Sequence, residues 1–232
     1  MKLLILLSFV PLVGAVLGIF SPKKLKKHLK LFLAFGGAYI LSITMLHLIP
    51  EVFSTGYSKM GYWVLLGFFL QIVLDLFSQG IEHGHSHSDT KKHPIILFFA
   101  LAIHALLEGT AIGGEFFESK VLYQLVVGIG FHEIPAAFTL IILLRAMNWK
   151  IHQLILVGVG YSLLVPIGIL LGHYVLPNNP DFTRTISAMV IGVFLHISTT
   201  IIFENSEDHK LNIYKAIAIC SALALAILSS LF

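Results

Sequence analysis

Charge is what this sequence holds least of. Only 12% of its 232 residues are Asp, Glu, Lys or Arg, where a soluble domain of this size needs roughly 25% to wet its surface. With 57% of the residues hydrophobic, there is no room for a separate soluble domain, and 1–232 reads as a single membrane domain. Cysteine is nearly absent as well. Cys220 stands alone in the last apolar run, which excludes a disulfide framework and a thiolate metal site. A net charge of +3, carried between the apolar runs, is too small to point to nucleic acid. No ATP-binding motif is present, so a nucleotide-driven pump is excluded too.

What the chain does have is long apolar runs, at 3–20, 31–51, 60–79, 95–114, 121–145, 151–176, 186–204 and 213–231. Each is near the ~20 residues a membrane-spanning helix needs, and together they predict an all-α polytopic membrane protein with eight transmembrane helices. Lys2 ahead of the first run resembles a signal peptide. No small-x-small cleavage site follows, however, and the basic stretch Ser21–Lys30 comes directly after, so the run reads as a retained helix. Breakers separate the runs: Ser54–Gly56, the His-rich loop 80–94, Asn148 and Pro177–Pro180.

Lys and Arg counts set the expected orientation. Lys23, Lys24, Lys26, Lys27, Lys30, Lys91, Lys92, Arg145, Lys150, Lys210 and Lys215 fall after the odd-numbered helices, against Lys2, Lys59, Lys120 and Arg184 on the other side. The positive-inside rule then puts both termini outside a cell (plasma or inner) membrane and the His-rich loop in the cytoplasm. An internal echo runs through the chain: VPLVGAVLG in helix one against VPIGILLG in helix six, and GAYILSIT in helix two against GVFLHIST in helix seven. Five helices separate the members of each pair, so the copies have opposite orientation, as in an inverted repeat.

Histidine is abundant, with twelve residues, and its placement carries the chemistry. In FFALAIHALLEGTAIGG, His104 and Glu108 stand four apart and share a helix face. In GIGFHEIPAAFT, His132 and Glu133 are adjacent. A charge at bilayer depth costs about 2.5–3.5 kcal/mol on insertion scales, so such groups are rarely idle there. His104 lies about nine residues into its run and His132 about eleven, which at ~1.5 Å per residue places both near the midplane. A structural hydrogen-bond network is the plainer reading of any one of them. Four together favour a shared divalent cation, with His104, Glu108 and His132 as direct ligands and Glu133 as a fourth ligand or a support behind them. A His/carboxylate set without thiolate suits Zn²⁺, Fe²⁺, Mn²⁺ or Co²⁺ and disfavours Cu⁺. The string HEIPA is not a zinc-protease helix, because Ala136 stands where His-Glu-x-x-His requires its second histidine.

A second group lies near the ends of the runs. His47, Glu51 and His173 fall at the outer ends, Asp75 and Glu204 in the inner halves, and His196 mid-helix; these are candidates to line a way in or out. In the loop, His83, His85, His87 and His93 form a flexible weak metal binder whose plainer reading is a solvated linker.

With His104-Ala-x-x-Glu108-Gly on helix four, His132-Glu-x-Pro135 on helix five and His47-x-x-Pro-Glu51 closing helix two, the chain resembles the ZIP (Zrt/Irt-like) family of divalent metal transporters. The resemblance implies an inverted three-plus-two-plus-three helix arrangement in which helices four and five hold the metal. It also implies movement of Zn²⁺, Fe²⁺ or Mn²⁺ into the cytoplasm, and leaves a homodimer open. Family members typically read His-Asn on helix four and often His-Glu-x-Pro-His-Glu on helix five. Here Ala105 replaces the Asn, and Ala136 and Ala137 replace the second His-Glu. The alternatives are an intramembrane metalloenzyme and a non-transporting membrane metal sensor. Of the three, a metal-transporting non-enzyme accounts best for these residues.

Overall fold

A computed structural model describes residues 2–20, 26–54, 59–78, 94–114, 116–175, 179–204 and 213–231, without the side chains of 2–5, 26–29, 204 and 230–231. Among the described residues there is no strand. Eight helical rods correspond one for one to the apolar runs. They are α1 (Lys2–Phe20), α2 (Lys26–Ile43, continued by a π-helical turn at Thr44–Leu48 and by Ile49–Ser54), α3 (Met60–Ser78) and α4 (Pro94–Gly113). After these come α5 (Ser119–Ala146), α6 (Ile151–Ser162 and Leu164–Val175), α7 (Pro180–Glu204) and α8 (Ile213–Leu231).

Helix α2 is longer than its apolar run, from Lys26 through Ser54, and two further differences from the sequence expectation have a local reason. Helix α7 begins at Pro180, within the stretch read as a breaker. Asn179 caps it, its Oδ1 accepting the Phe182 N–H at 3.1 Å. Proline in the first turn lacks only an N–H that would have no partner there. Helix α6 is interrupted at Leu163. Pro166 has no N–H to offer the Ser162 carbonyl and its ring crowds that position, so the ladder breaks there.

Six segments are long and apolar enough to cross a membrane: Lys30–Ser54, Met60–Ser78, Pro94–Gly113, Ser119–Ala146, Ile151–Val175 and Pro180–Phe203. Helices α1 and α8 carry shorter apolar stretches, Leu6–Phe20 and Ile213–Ser229. Large apolar side chains such as Phe9, Phe69, Leu76, Leu156 and Phe203 point outward. Helices close their own backbone hydrogen bonds and so tolerate lipid around such a surface. The chain is an integral membrane protein.

Hydrophobic collapse does not drive helix association inside lipid, so close backbone approach carries the packing. The seam between α4 and α6 is reciprocal. A Cβ on Gly109 or Gly113 would overlap the carbonyls of Val165 or Ile169, and one on Gly168 or Gly172 those of Leu106 or Thr110. Helix α1 meets α5 in the same way, with Gly14 against the Ile134 carbonyl and Gly18 against Phe138 and Ile141. Helices α4 and α5 are thereby clamped from outside by α6 and α1. On its other side α5 is gripped by α2, where Phe131 makes edge-to-face contacts with Phe32 and Phe35 at centroid distances of 5.3 and 4.9 Å.

Polar side chains close several helix ends. Arg145 Nη1 donates to the Ile19 carbonyl at 3.0 Å, and Lys215 Nζ to the Ile202 carbonyl at 2.6 Å. Both place a cation where a helix presents free carbonyls. The seam yields a test. Gly168→Leu should lower thermal stability in detergent by about 1–3 kcal/mol, the usual range for overpacking. Gly160→Ala, where a Cβ meets nothing within 4 Å, should leave stability unchanged or raise it. Equal melting of the two variants would contradict the seam's role.

Candidate metal centre

Helical periodicity puts His104 and Glu108 on one face of α4, one turn apart, and α5 brings His132 and Glu133 opposite them. All four side chains are fully buried. His104 Nε2 lies 3.0 Å from Glu108 Oε1. Neither atom has a hydrogen-bond partner, so the two are close without being aligned as donor and acceptor. The His104 and His132 rings meet edge to face, with centroids 5.5 Å apart and planes at 81°.

One donor atom each from His104, Glu108 and His132 can be chosen so that all lie within 4.8 Å of one another. A tetrahedral site with bonds of ~2.0–2.1 Å spaces its donors about 3.3 Å apart, so a modest inward adjustment closes the set. Glu133 stands beside this triad as a side-chain neighbour of Glu108. Its Oε1 accepts the Tyr161 hydroxyl at 3.3 Å, and its Oε2 has no hydrogen-bond partner. A buried polar atom left without a partner costs about 1–3 kcal/mol, more if charged. Here both His104 ring nitrogens, both Glu108 oxygens and Glu133 Oε2 stand in that condition together. A divalent cation is the kind of group that satisfies one His104 nitrogen together with carboxylate oxygen, drawing on both imidazole and carboxylate. Ala105 and Ala136, on the same two helices, are also fully buried and offer no donor.

The remaining sequence candidates lie outside this triad. His47 sits in the π-helical turn of α2, half-buried, with an enclosed Nε2 that has no hydrogen-bond partner. Glu51 accepts the backbone N–H of Glu118 at 3.0 Å, so the end of α2 caps the start of α5. Asp75, half-buried on α3, is reached by the Ser78 hydroxyl at 3.4 Å. His173 is exposed at the end of α6 against Tyr174. His196 is buried edge-on to Phe68, centroids 5.2 Å apart. His83, His85, His87, His93 and the Glu204 side chain fall outside the described residues.

Sequence reading missed Tyr161. It is fully buried in α6 and brings a third helix to the centre. The signal was available: a tyrosine in the middle of an apolar helix must find a partner for its hydroxyl.

With this geometry in hand, comparison with known proteins is direct. The family model described as ZIP zinc transporter matches residues 82–229, which include every residue of the triad and Tyr161. Protein zntD of Dictyostelium discoideum is 30% identical over 151 residues, 58% of this chain and 22% of zntD. Zinc transporter ZIP1 of Plasmodium falciparum (isolate 3D7) is 24% identical over 279 residues, 87% of this chain and 76% of that protein. Zinc transporter ZIP1 of Danio rerio is 27% identical over 128 residues, 55% of this chain and 41% of the relative. The chain thus spans about a fifth of zntD and less than half of the zebrafish protein. A match over more than half of its length, containing the whole buried His/Glu cluster, means that the chain belongs to the ZIP zinc transporter family.

Proposed function

We propose that the protein carries a divalent transition metal, zinc foremost, across the membrane into the cytoplasm through the cluster on α4 and α5. The observation that carries the proposal is the meeting of His104, Glu108 and His132 in a fully buried set whose donor atoms lie within 4.8 Å of one another. Two imidazoles and a carboxylate suit a borderline ion, and Glu133, a side-chain neighbour of Glu108 outside the set of donors within 4.8 Å, is the candidate for a further oxygen. The relatives named as zinc transporters support zinc as cargo, with Fe²⁺, Mn²⁺ and Co²⁺ as competitors for the same donors.

All eight rods cross the bilayer in this reading, both termini lie outside, and the helices form an inverted three-plus-two-plus-three arrangement. Its support is the pattern of helix pairs. Exchanging α1 with α6, α2 with α7, α3 with α8 and α4 with α5 turns the α1–α5 pair into α6–α4 and the α3–α7 pair into α8–α2. These are among the most extensive contacts in the fold. The glycine pairs of the sequence echo have equivalent tasks under that exchange, Gly14 and Gly18 against α5, Gly168 and Gly172 against α4. His47 and Glu51 lie on the outer route to the centre in this scheme.

The decisive experiment is uptake of a panel of divalent ions into proteoliposomes. Saturable zinc influx is expected, and His104→Ala should abolish it while the protein still folds and inserts. That change removes a ligand and leaves Glu108 a poorly compensated buried charge. Wild-type influx in His104→Ala would reject the site, whereas metal-dependent hydrolysis without flux would favour an intramembrane enzyme. Zinc binding with neither flux nor hydrolysis would favour a sensor.

Deleting residues 82–89, which contain His83, His85 and His87, should change uptake by no more than a few-fold, because the buried donor set on α4 and α5 draws on none of these histidines. Complete loss of uptake by a correctly inserted deletion variant would give the loop an essential role instead.

A further inference from the structure

A polar contact from α6 to the buried cluster is unaccounted for by ligand binding alone. Tyr161 is fully enclosed, and its hydroxyl donates to Glu133 Oε1 at 3.3 Å. The opposite oxygen, Oε2, is buried with no hydrogen-bond partner. A hydrogen bond at one oxygen of a carboxylate restricts the rotamers in which the other oxygen can lie. Without such a hold, a glutamate in a cavity lined by a second carboxylate is repelled by it, and turns away along whichever rotamer separates the charges. Glu108 is that second carboxylate here.

Tyr161 is itself firmly placed. It is the penultimate residue of the first segment of α6, two positions before the interruption at Leu163. Ser162 bonds back to the Val159 carbonyl at 2.7 Å, and Gly158 brings the same segment against Ala15 of α1. Beyond the interruption, Gly168 and Gly172 lock the second segment to α4. The phenol is therefore delivered from a segment fixed on α1 to a carboxylate on α5, beside ligands on α4.

We propose that Tyr161 is a positioning residue of the transport site: by holding Glu133 through Oε1 it presents Oε2 to the ion bound by His104, Glu108 and His132. At 3.3 Å the contact is longer than the ~2.7–2.8 Å usual for O–H···O, a hold of modest strength. This inference rests on the reading of the cluster as the metal site, and its test separates the two.

Zinc affinity is measured by titration of the detergent-purified full chain, and apparent KM by proteoliposome uptake. The ligand field is followed with Co²⁺ as a spectroscopic probe. Tyr161→Phe removes only the hydroxyl. It should weaken zinc binding and raise KM by roughly three- to tenfold, the worth of one hydrogen bond of about 0.5–1.5 kcal/mol, with little change in maximal rate. The Co²⁺ visible bands should alter, since Glu133 no longer completes the site. A purely structural tyrosine would lower the melting temperature and leave those bands and KM where they are, and that result would overturn the proposal.

A double-mutant cycle guards against misfolding of the single variant. In a Glu133→Ala background, Tyr161→Phe should cause no further loss of zinc affinity. Additive losses would show that Tyr161 acts elsewhere and would refute the inference. If His104→Ala binds zinc like wild type, the metal-site reading fails beneath it; if only Tyr161→Phe is silent, the positioning role fails alone.

Discussion

The constraint on which the rest of this molecule depends is the burial of two imidazoles and two carboxylates side by side, with several of their polar atoms lacking any hydrogen-bond partner. Each such atom would ordinarily be removed by substitution or paired with a neighbour, since interiors satisfy the great majority of their buried polar groups. Here the neighbours that exist are one another. His104 and Glu108 approach to 3.0 Å without forming a hydrogen bond, and the His104 and His132 rings touch edge to face. An arrangement so unfavourable to an empty apolar core is what the proposed metal site accounts for.

The surrounding fold can be read as the means of keeping those groups together. Helices α4 and α5 bear the donors, and each is clamped by a partner whose glycines allow backbone contact, α6 for α4 and α1 for α5. The aromatic grip of α2 on Phe131 fixes α5 one residue away from His132. Glu51, at the end of α2, caps the first turn of α5 at its Glu118 N–H. Close packing transmits displacement efficiently, so a shift in any of these contacts moves the donors relative to one another. Tyr161 adds a side-chain link from α6 to the same centre.

Much of this was legible in the sequence. The eight apolar runs locate the eight rods, and the i, i+4 spacing of His104 and Glu108 places them on one face before any coordinates are known. The triad could be assembled because polar residues in an apolar run have few reasons to be there. Other features were hidden for physical reasons. Pro180 punctuates the chain, yet proline in a first turn starts a helix as readily as it ends one, and Asn179 decides the matter through its side chain. The Tyr161–Glu133 contact joins residues 28 positions apart on helices whose mutual rotation periodicity alone does not fix. Glu51 reads as a polar outer residue, and its bond to a backbone group 67 positions later cannot be read from local pattern.

The central claim is that these donors exist to hold one ion. Ala105 and Ala136 are fully buried and supply no ligand, so the cluster contains oxygen and nitrogen enough for about four bonds, the number a zinc ion takes. Two dications about 4 Å apart would repel by roughly 17 kcal/mol at an effective dielectric constant near 20, with only two carboxylates to offset it. The most direct measurement is anomalous scattering at the zinc edge from crystals of the zinc-loaded protein, which locates each ion and its donors. The account predicts one zinc between α4 and α5, bound by nitrogen from His104 and His132 and oxygen from Glu108. Two well-occupied ions at a bridging distance of about 3.5–4 Å, or zinc bound in the core without either histidine, would contradict it.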